Sequence, residues 1–184
     1  MTVDDLISPA YLDEQRRLHA DPRGYGGRGR KWAAQVSAFG WTYGCRSVLD
    51  YGCGQGSLAV QLKLSSHFPI DQIFEYDPAI PGKDALPAPA DLVVCTDVLE
   101  HVESDRIWAV MEHLARLSRK ACFIVVSLIE TAKTLSDGRQ AHILLRPVPW
   151  WTAQVEAHGF IVARELDVKP EKQWCAVLLK ERAS

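Results

Sequence analysis

The chain has 184 residues, 47% of them hydrophobic and 24% charged, with a formal net charge of −2. That size fits one globular domain with a sizeable core, and the near-neutral balance gives the molecule as a whole no polyanion-binding character. No apolar run approaches the ~20 residues needed to cross a bilayer, and the acidic start Met1-Thr2-Val3-Asp4-Asp5 lacks the positive region of a secretory signal, so a cytoplasmic or nuclear protein without membrane contact is expected.

Ser8-Pro9 supplies a helix cap followed by a proline at the first helical position, and Tyr11 and Leu18 share one face of a helix reaching about Ala20. Asp21-Pro22 ends it. The glycine-rich stretch Arg23 to Arg30 reads as a flexible hinge, and a second helix from about Lys31 carries Trp32, Val36 and Phe39 on one side. Residues 1–45 therefore form an N-terminal helical cap on a main unit spanning 46–184. Strand-like runs at Ser47–Asp50, Gln72–Tyr76, Asp91–Thr96 and Ala121–Ser127 alternate with helical patterns, the clearest being Ile107, Val110, Met111, Leu114 and Leu117. That alternation predicts an α/β domain with a parallel sheet. A helix opens at Trp150-Trp151 and ends at Gly159, with one tryptophan expected in the core and the other on the wall of a substrate pocket. Phe160–Leu166 and Trp174–Lys180 are the last strands, joined by the polar Lys169-Pro170-Glu171-Lys172. Cys45, Cys53, Cys95, Cys122 and Cys175 form no Cys-x-x-Cys pair and read as reduced, mostly buried thiols.

Asp50-Tyr51-Gly52-Cys53-Gly54-Gln55-Gly56 follows the apolar Val48-Leu49, and Asp77 ends a second apolar strand 21 residues after Gly56. Glycines let the backbone turn sharply from strand into helix and leave no Cβ where the main chain touches a ligand. A dinucleotide site favours Gly-x-Gly-x-x-Gly facing a pyrophosphate, whereas the spacing here is Gly-x-Gly-x-Gly with an acid two residues before the first glycine. An acid there suits an ammonium. The stretch resembles the glycine-rich motif of class I S-adenosylmethionine-dependent methyltransferases, a resemblance that runs from about Val48 to Phe160.

The resemblance implies a Rossmann-like, doubly wound, mostly parallel sheet with an antiparallel last strand. It implies S-adenosylmethionine as cofactor, with Asp50 toward the methionine ammonium, Gly52, Gly54 and Gly56 giving backbone approach, and Asp77 holding the ribose. It also implies that Asp84, in Asp84-Ala85-Leu86-Pro87, offers a carboxylate to the adenine amino group, and that Asp91-Leu92-Val93-Val94 is the family's fourth strand. Thr96 and Asp97 at its end join the cofactor-facing set. Only six residues separate Asp77 from Asp84, where this family places a helix and an edge strand. The fold is therefore expected to be shortened between its second and fourth strands, a loss an edge position tolerates.

Asp97-Val98-Leu99-Glu100-His101-Val102 follows, at the ligand-facing edge of such a sheet. On a helix start, Asp97, Glu100 and His101 share one face, and His142 lies in a later loop that reaches the same edge. The pattern is similar to the Glu-x-x-Glu-His and distant His that bind metal in small-RNA terminal 2′-O-methyltransferases, which ubiquinone-pathway O-methyltransferases resemble, with Asp97 in place of the first Glu. It implies Asp97, Glu100, His101 and His142 as ligands of a divalent metal (Mg, Mn, Zn or Co), and Glu100, His101 and His142 as the catalytic set. Leu-Glu-His-Val also occurs in methyltransferases that bind no metal. There His101 or His142 acts as a general base. His19, His67, His113 and His158 read as surface or packing residues.

Between Gln15 and Lys31 stand Arg16, Arg17, Arg23, Arg28, Arg30 and Lys31 against the single acid Asp21, interleaved with Tyr25 and Trp32. Such a stretch clamps a phosphate or stacks on a base, or is simply a solvated surface helix and loop. No Asn-Pro-Pro-Tyr or Asp-Pro-Pro-Tyr follows Cys95, which weighs against amino-directed DNA methylation. The expected activity is methyl transfer from S-adenosylmethionine, O-directed, to a small metabolite or nucleotide hydroxyl. A nucleic-acid substrate and a non-catalytic cofactor-binding partner are the alternatives.

Overall fold

The computed structural model of the chain describes residues 1–21, 25–65 and 71–181, so the expectations placed on Arg23 and His67 lie outside the described residues. Each strand-like run becomes a strand: β1 Ser47–Tyr51, β2 Gln72–Tyr76, β3 Ala90–Thr96, β4 Ser118–Ser127, β5 Phe160–Glu165 and β6 Gln173–Lys180. They form one sheet in the order β2-β1-β3-β4-β6-β5. β1 runs parallel to β2 and β3, and β3 to β4, whereas β6 is antiparallel to both its neighbours. This is the doubly wound sheet with an antiparallel last strand. β2 stands at its edge because the short Asp77–Asp84 connection leaves no chain for a further strand.

Among the described residues six α-helices accompany the sheet: α1 Val3–Leu6, α2 Pro9–His19, α3 Ala33–Thr42, α4 Ser57–Leu64, α5 Ile107–Leu117 and α6 Val148–Ala157. Strand side chains alternate between two cores, as the pleat requires. Leu49, Tyr51, Val93 and Cys95 face α5 and α6, while Val48, Leu92, Val94 and Phe123 face α3 and α4. In α5 the three-to-four spacing buries Ile107, Val110, Met111 and Leu114, each contributing roughly 1.5–3 kcal/mol by removal from water. Trp32, Val36 and Phe39 belong to the second core. The segment from Trp32 through α3 is thus part of a sheet-covering layer, and the roof over the sheet edge is α2 with the loop 129–143.

α2 begins as expected, with the Ser8 hydroxyl accepting Tyr11 N–H at 3.2 Å and Pro9 at the first turn. Ile7, Tyr11 and Leu18 pack on Leu135 and Ala141 in a third, smaller core. Polar ties fasten this roof: Ser8 N–H and hydroxyl donate to the Glu103 carboxylate at 2.8 and 2.6 Å, and Ser136 N–H donates to Glu14 at 2.9 Å. Trp151 is fully buried, donating its indole N–H to Arg146 C=O at 3.1 Å. Trp150 packs against Trp151 and the Arg146 guanidinium and lines no substrate cavity, which corrects the pocket-wall expectation. All five cysteines are buried free thiols. Among the described residues no helix is long and apolar enough to cross a membrane.

His113 is a packing residue, 4% exposed, with Nδ1 3.1 Å from the Tyr51 hydroxyl. Burial pushes its pKa down to about 4, with the Arg116 charge acting in the same sense. The unfolded chain, titrating near its ordinary value of about 6.5, then binds more protons between pH 6.5 and 4. This residue's stabilising contribution is present above that window and is lost as pH falls through it. His113→Gln removes the titration, so the stability gap between wild type and variant, measured by urea unfolding at pH 7.5 and 4.5, is expected to shrink at the lower pH. A gap that stays constant or widens contradicts the assignment.

Candidate active site at the carboxyl edge of the sheet

A cavity of about 1040 Å³ opens where β1 and β3 diverge in connection direction, the place a doubly wound sheet reserves for ligands. Asp50, Gly52, Asp77, Thr96, Asp97 and Glu100 all line it. Asp77 is the hinge of the arrangement. Its 6%-exposed carboxylate accepts Gly54 N–H at 2.9 Å on one oxygen and Ala79 N–H at 3.0 Å on the other, tying the glycine loop to the end of β2.

The glycines serve the protein's own packing as well as any ligand. Gly54 has φ +50°, and a Cβ on it would lie 2.5 Å from the Gly26 carbonyl oxygen; one on Gly52, at φ +73°, would lie 2.4 Å from Val98 Cγ2. The segment Tyr25–Gly29 rests on the loop. Gln55 N–H donates to Gly26 C=O and its side-chain amide to Tyr25 C=O, both at 3.0 Å. Beneath the loop, Lys83 pairs with Glu75 at 2.9 Å. Asp50 is 4% exposed, and burial, reinforced by Glu75 and opposed by Lys83, lifts its pKa to about 7. Asp84 is not brought to the cavity. It is exposed and accepts Gly82 N–H at 3.2 Å within the shortened connection.

Beyond β3 the chain turns through Asp97, a non-glycine residue at φ +57°, into a 3-10 turn over Leu99–His101 in place of the expected α-helical start. The tighter turn and the left-handed residue separate Asp97 from the others, and its carboxylate pairs with Lys31 Nζ at 2.9 Å. The fourth ligand expected at Asp97 is therefore absent from the close-set group. Glu100, His101 and His142 do converge, each offering a ligand atom within 4.8 Å of the other two.

Glu100 is completely buried, and neither carboxylate oxygen has a hydrogen bond of ordinary geometry. Burial first and the Asp97 charge second push its pKa up to about 8. His101 Nδ1 donates to Ala141 C=O at 2.8 Å and His142 Nδ1 to Ile129 C=O at 2.6 Å. A carbonyl can only accept, so these nitrogens carry the protons and the lone pairs lie on Nε2, that of His101 3.4 Å from the Tyr25 hydroxyl. Burial, with His142 nearby, moves the His101 pKa down to about 4, and burial lowers His142 as well. The group can accept a proton from a bound hydroxyl or hold a divalent cation.

Two neighbours escape a motif reading. His19 approaches Asp77, Nε2 to Oδ2 at 3.7 Å, and its ring meets Tyr25 edge-on, so its assignment to surface or packing is corrected. The Tyr25 hydroxyl lies 3.2 Å from Gln15 Oε1 and 3.3–3.4 Å from the His101 ring nitrogens. The discernible signal was the four-residue spacing of Tyr11, Gln15 and His19 along one helix face. Gly54→Ala is expected to cost roughly 1–3 kcal/mol in urea unfolding and to speed hydrogen exchange at Gln55 N–H, because the Tyr25–Gly29 segment must lift. Unchanged exchange at Gln55 argues against the contact.

A family model described as a methyltransferase domain matches residues 16–169. A comparison with curated proteins finds no significant match. Among solved structures, Burkholderia thailandensis 1,6-didemethyltoxoflavin-N1-methyltransferase, with bound 1,6-didemethyltoxoflavin and S-adenosylhomocysteine, is 14% identical with a TM-score of 0.62 over 94% of this chain and 85% of its own. The DhpI–SAH complex is 17% identical with a TM-score of 0.63, over 96% of this chain and 100% of its own. The methyltransferase domain of bacterial CtHen1-CN is 18% identical with a TM-score of 0.59, over 82% and 98%. At these identities the structural likeness speaks for the fold, and the family model speaks for descent. With this sheet order and a methyltransferase-domain match over most of its length, the chain belongs to the class I S-adenosylmethionine-dependent methyltransferases.

Proposed function

We propose that the protein transfers the methyl group of S-adenosylmethionine to a hydroxyl oxygen of a small molecule, with Glu100, His101 and His142 holding a divalent cation beside the acceptor. The observation that carries the second half is the Glu100 carboxylate, completely buried, with no hydrogen bond of ordinary geometry to either oxygen among the described residues and with a ligand atom of His101 and of His142 within 4.8 Å. A buried, unsatisfied carboxylate is costly, and a cation is the partner that removes the cost. One carboxylate and two imidazoles suit Zn²⁺ or Mn²⁺ better than Mg²⁺, which prefers oxygen ligands.

The cofactor half rests on Asp50 and Asp77. Asp50 is a buried acid with a raised pKa, the setting an ammonium group stabilises. Asp77, though bonded to two backbone N–H groups, keeps lone-pair sites on both oxygens for a ribose diol. The structural neighbours described with bound S-adenosylhomocysteine support the same reading. S-adenosylmethionine supplies a methyl carbon on a positively charged sulfur, and a bound cation acidifies an acceptor hydroxyl. The chain itself contributes alignment. Asp77 and the glycine loop fix one end of the cavity, the carbonyls of Ala141 and Ile129 fix the two imidazoles, and α2 packs on residues 129–143 above them.

One observation favours a second reading without metal. Because Nδ1 of His101 donates to Ala141, its lone pair lies on Nε2, 3.4 Å from the Tyr25 hydroxyl, and a depressed pKa keeps the ring neutral at pH 7. Calorimetric titration of S-adenosylhomocysteine and of Mn²⁺ or Zn²⁺ into chelator-treated protein separates the readings. Expected are cofactor binding that persists in Glu100→Ala and His101→Ala, a metal site that both variants lose, and turnover reduced about 10²–10⁴-fold in His101→Ala. Cofactor binding without a metal site leaves the histidine base, and no cofactor binding refutes both.

A further inference from the structure

Both acids and bases line the large cavity, and most of these charges are answered within the chain. Asp97 pairs with Lys31 at 2.9 Å and Lys133 with Asp21 at 3.5 Å. The Glu103 carboxylate takes the N–H and hydroxyl of Ser8, and Asp77 takes two backbone N–H groups. Asp50 and Glu100 are buried acids, lifted by burial to pKa values of about 7 and about 8. What is left over is cationic. Arg28, Lys169 and Lys172 line the cavity, are exposed at its mouth and have no ion pair among the described residues, whereas Glu130 is the one exposed acid of the lining. Asp167 and Glu171 belong to the same turn as the two lysines but do not line the cavity.

The sheet brings these cations together from the two ends of the chain. Asp97 N–H donates to Val125 C=O at 2.9 Å, and Val125 stands opposite Cys175, so the Lys31–Asp97 pair lies beside the start of β6. Arg28 precedes Lys31 by one turn, its carbonyl accepting Lys31 N–H at 3.3 Å. On the other side, Lys172 C=O accepts Leu128 N–H at 2.8 Å, next to the Ile129 carbonyl that holds His142. Lys169 opens that turn at φ +52°, and its carbonyl accepts Lys172 N–H at 2.8 Å and Gln173 N–H at 3.1 Å. A lysine in the left-handed region is costly, and these two bonds hold it there.

We propose that Arg28, Lys169 and Lys172 form an anion subsite at the mouth of the cavity, and that the methyl acceptor is a small molecule whose carboxylate or phosphate group sits there while its hydroxyl points inward to Glu100, His101 and His142. The inference rests on the methyl-transfer reading above and adds to it the acceptor's charge. Three unpaired cations against one exposed acid draw in an anion over roughly a Debye length, ~8–10 Å, and a guanidinium fork matches a carboxylate or phosphate edge. The acids at the inner end suit the positively charged cofactor, so the two ligands bring opposite charges to opposite ends. A nucleic-acid strand needs a track of cations, and the arginines of α2 do not extend one: Arg16 pairs with Asp13 at 3.2 Å and Arg17 with Glu14 at 3.1 Å.

The test is calorimetric titration into protein saturated with S-adenosylhomocysteine. The probes are 4-hydroxybenzoate and 4-hydroxyphenyl phosphate as anions, 4-hydroxybenzamide as their neutral counterpart, and a short oligoribonucleotide. Affinity for S-adenosylhomocysteine and the melting temperature are measured first for wild type, Arg28→Gln, Lys172→Gln, the double variant, and Lys133→Gln, whose lysine already has a partner. Expected is binding of one or both small anions to wild type, about tenfold tighter than the amide and weakening as salt rises. Arg28→Gln and Lys172→Gln each weaken it about threefold and the double variant about tenfold, with Lys133→Gln and cofactor affinity unchanged. The better-bound anion tells carboxylate from phosphate. The proposal is overturned by equal binding of the amide, tighter binding of the oligoribonucleotide, undiminished affinity in the double variant, equal weakening by Lys133→Gln, or no binding of either anion. Absence of cofactor binding in wild type removes the methyl-transfer reading and this proposal with it.

Discussion

The pair of backbone hydrogen bonds received by Asp77 organises everything at the carboxyl edge. One oxygen takes Gly54 N–H and the other Ala79 N–H, so a single buried carboxylate fixes the glycine loop against the turn leaving β2. Bonds of this kind, received by a carboxylate, are among the stronger polar interactions in a fold. The loop so fixed presents a flat glycine surface, and the backbone of Tyr25–Gly29 lies upon it. That placement in turn sets Tyr25 against His101 and leaves His19 beside Asp77 itself. The roof and the floor of the cavity thus share one anchor.

The site combines groups whose titration burial shifts toward the neutral form. Asp50 and Glu100 are carboxyls raised toward neutrality, and His101 is an imidazole held neutral. In each case the cause is loss of water around a charge, and nothing in the fold supplies Glu100 with a hydrogen bond of ordinary geometry. Such groups are tolerable when a ligand completes them. The cavity therefore reads as a set of unfinished polar contacts, acidic and imidazole at one end and basic at the mouth, within a frame that is otherwise well satisfied. Perturbed titration gathered in a cleft marks a candidate functional site.

The fold was legible because its determinants are local and periodic. Alternating apolar runs marked all six strands within a few residues, the spacing in α5 marked its buried face, and the six residues between Asp77 and Asp84 announced a sheet that stops at β2. Asp50, Asp77, Glu100, His101 and His142 were also visible, since each stands at the carboxyl end of a strand or in the loop that follows one. Asp97 was assigned with Glu100 and His101 by helical spacing and Asp84 by resemblance, and a left-handed residue and a shortened connection turn their carboxylates toward Lys31 and Gly82.

The sequence by itself determined the order of elements, the glycine-acid constellation and the class of chemistry, because strand-turn-helix signals and motif spacing act over a few residues along the chain. Only the tertiary structure decided that α2 lies across the sheet edge, that Tyr25 reaches His101 and His19 reaches Asp77, and that Asp97 leaves the Glu100, His101 and His142 group. Those contacts join residues far apart in sequence through packing of Ile7, Tyr11 and Leu18 on Leu135 and Ala141. No local pattern encodes such a meeting, for it depends on which apolar faces remain uncovered once the sheet and its helices have formed.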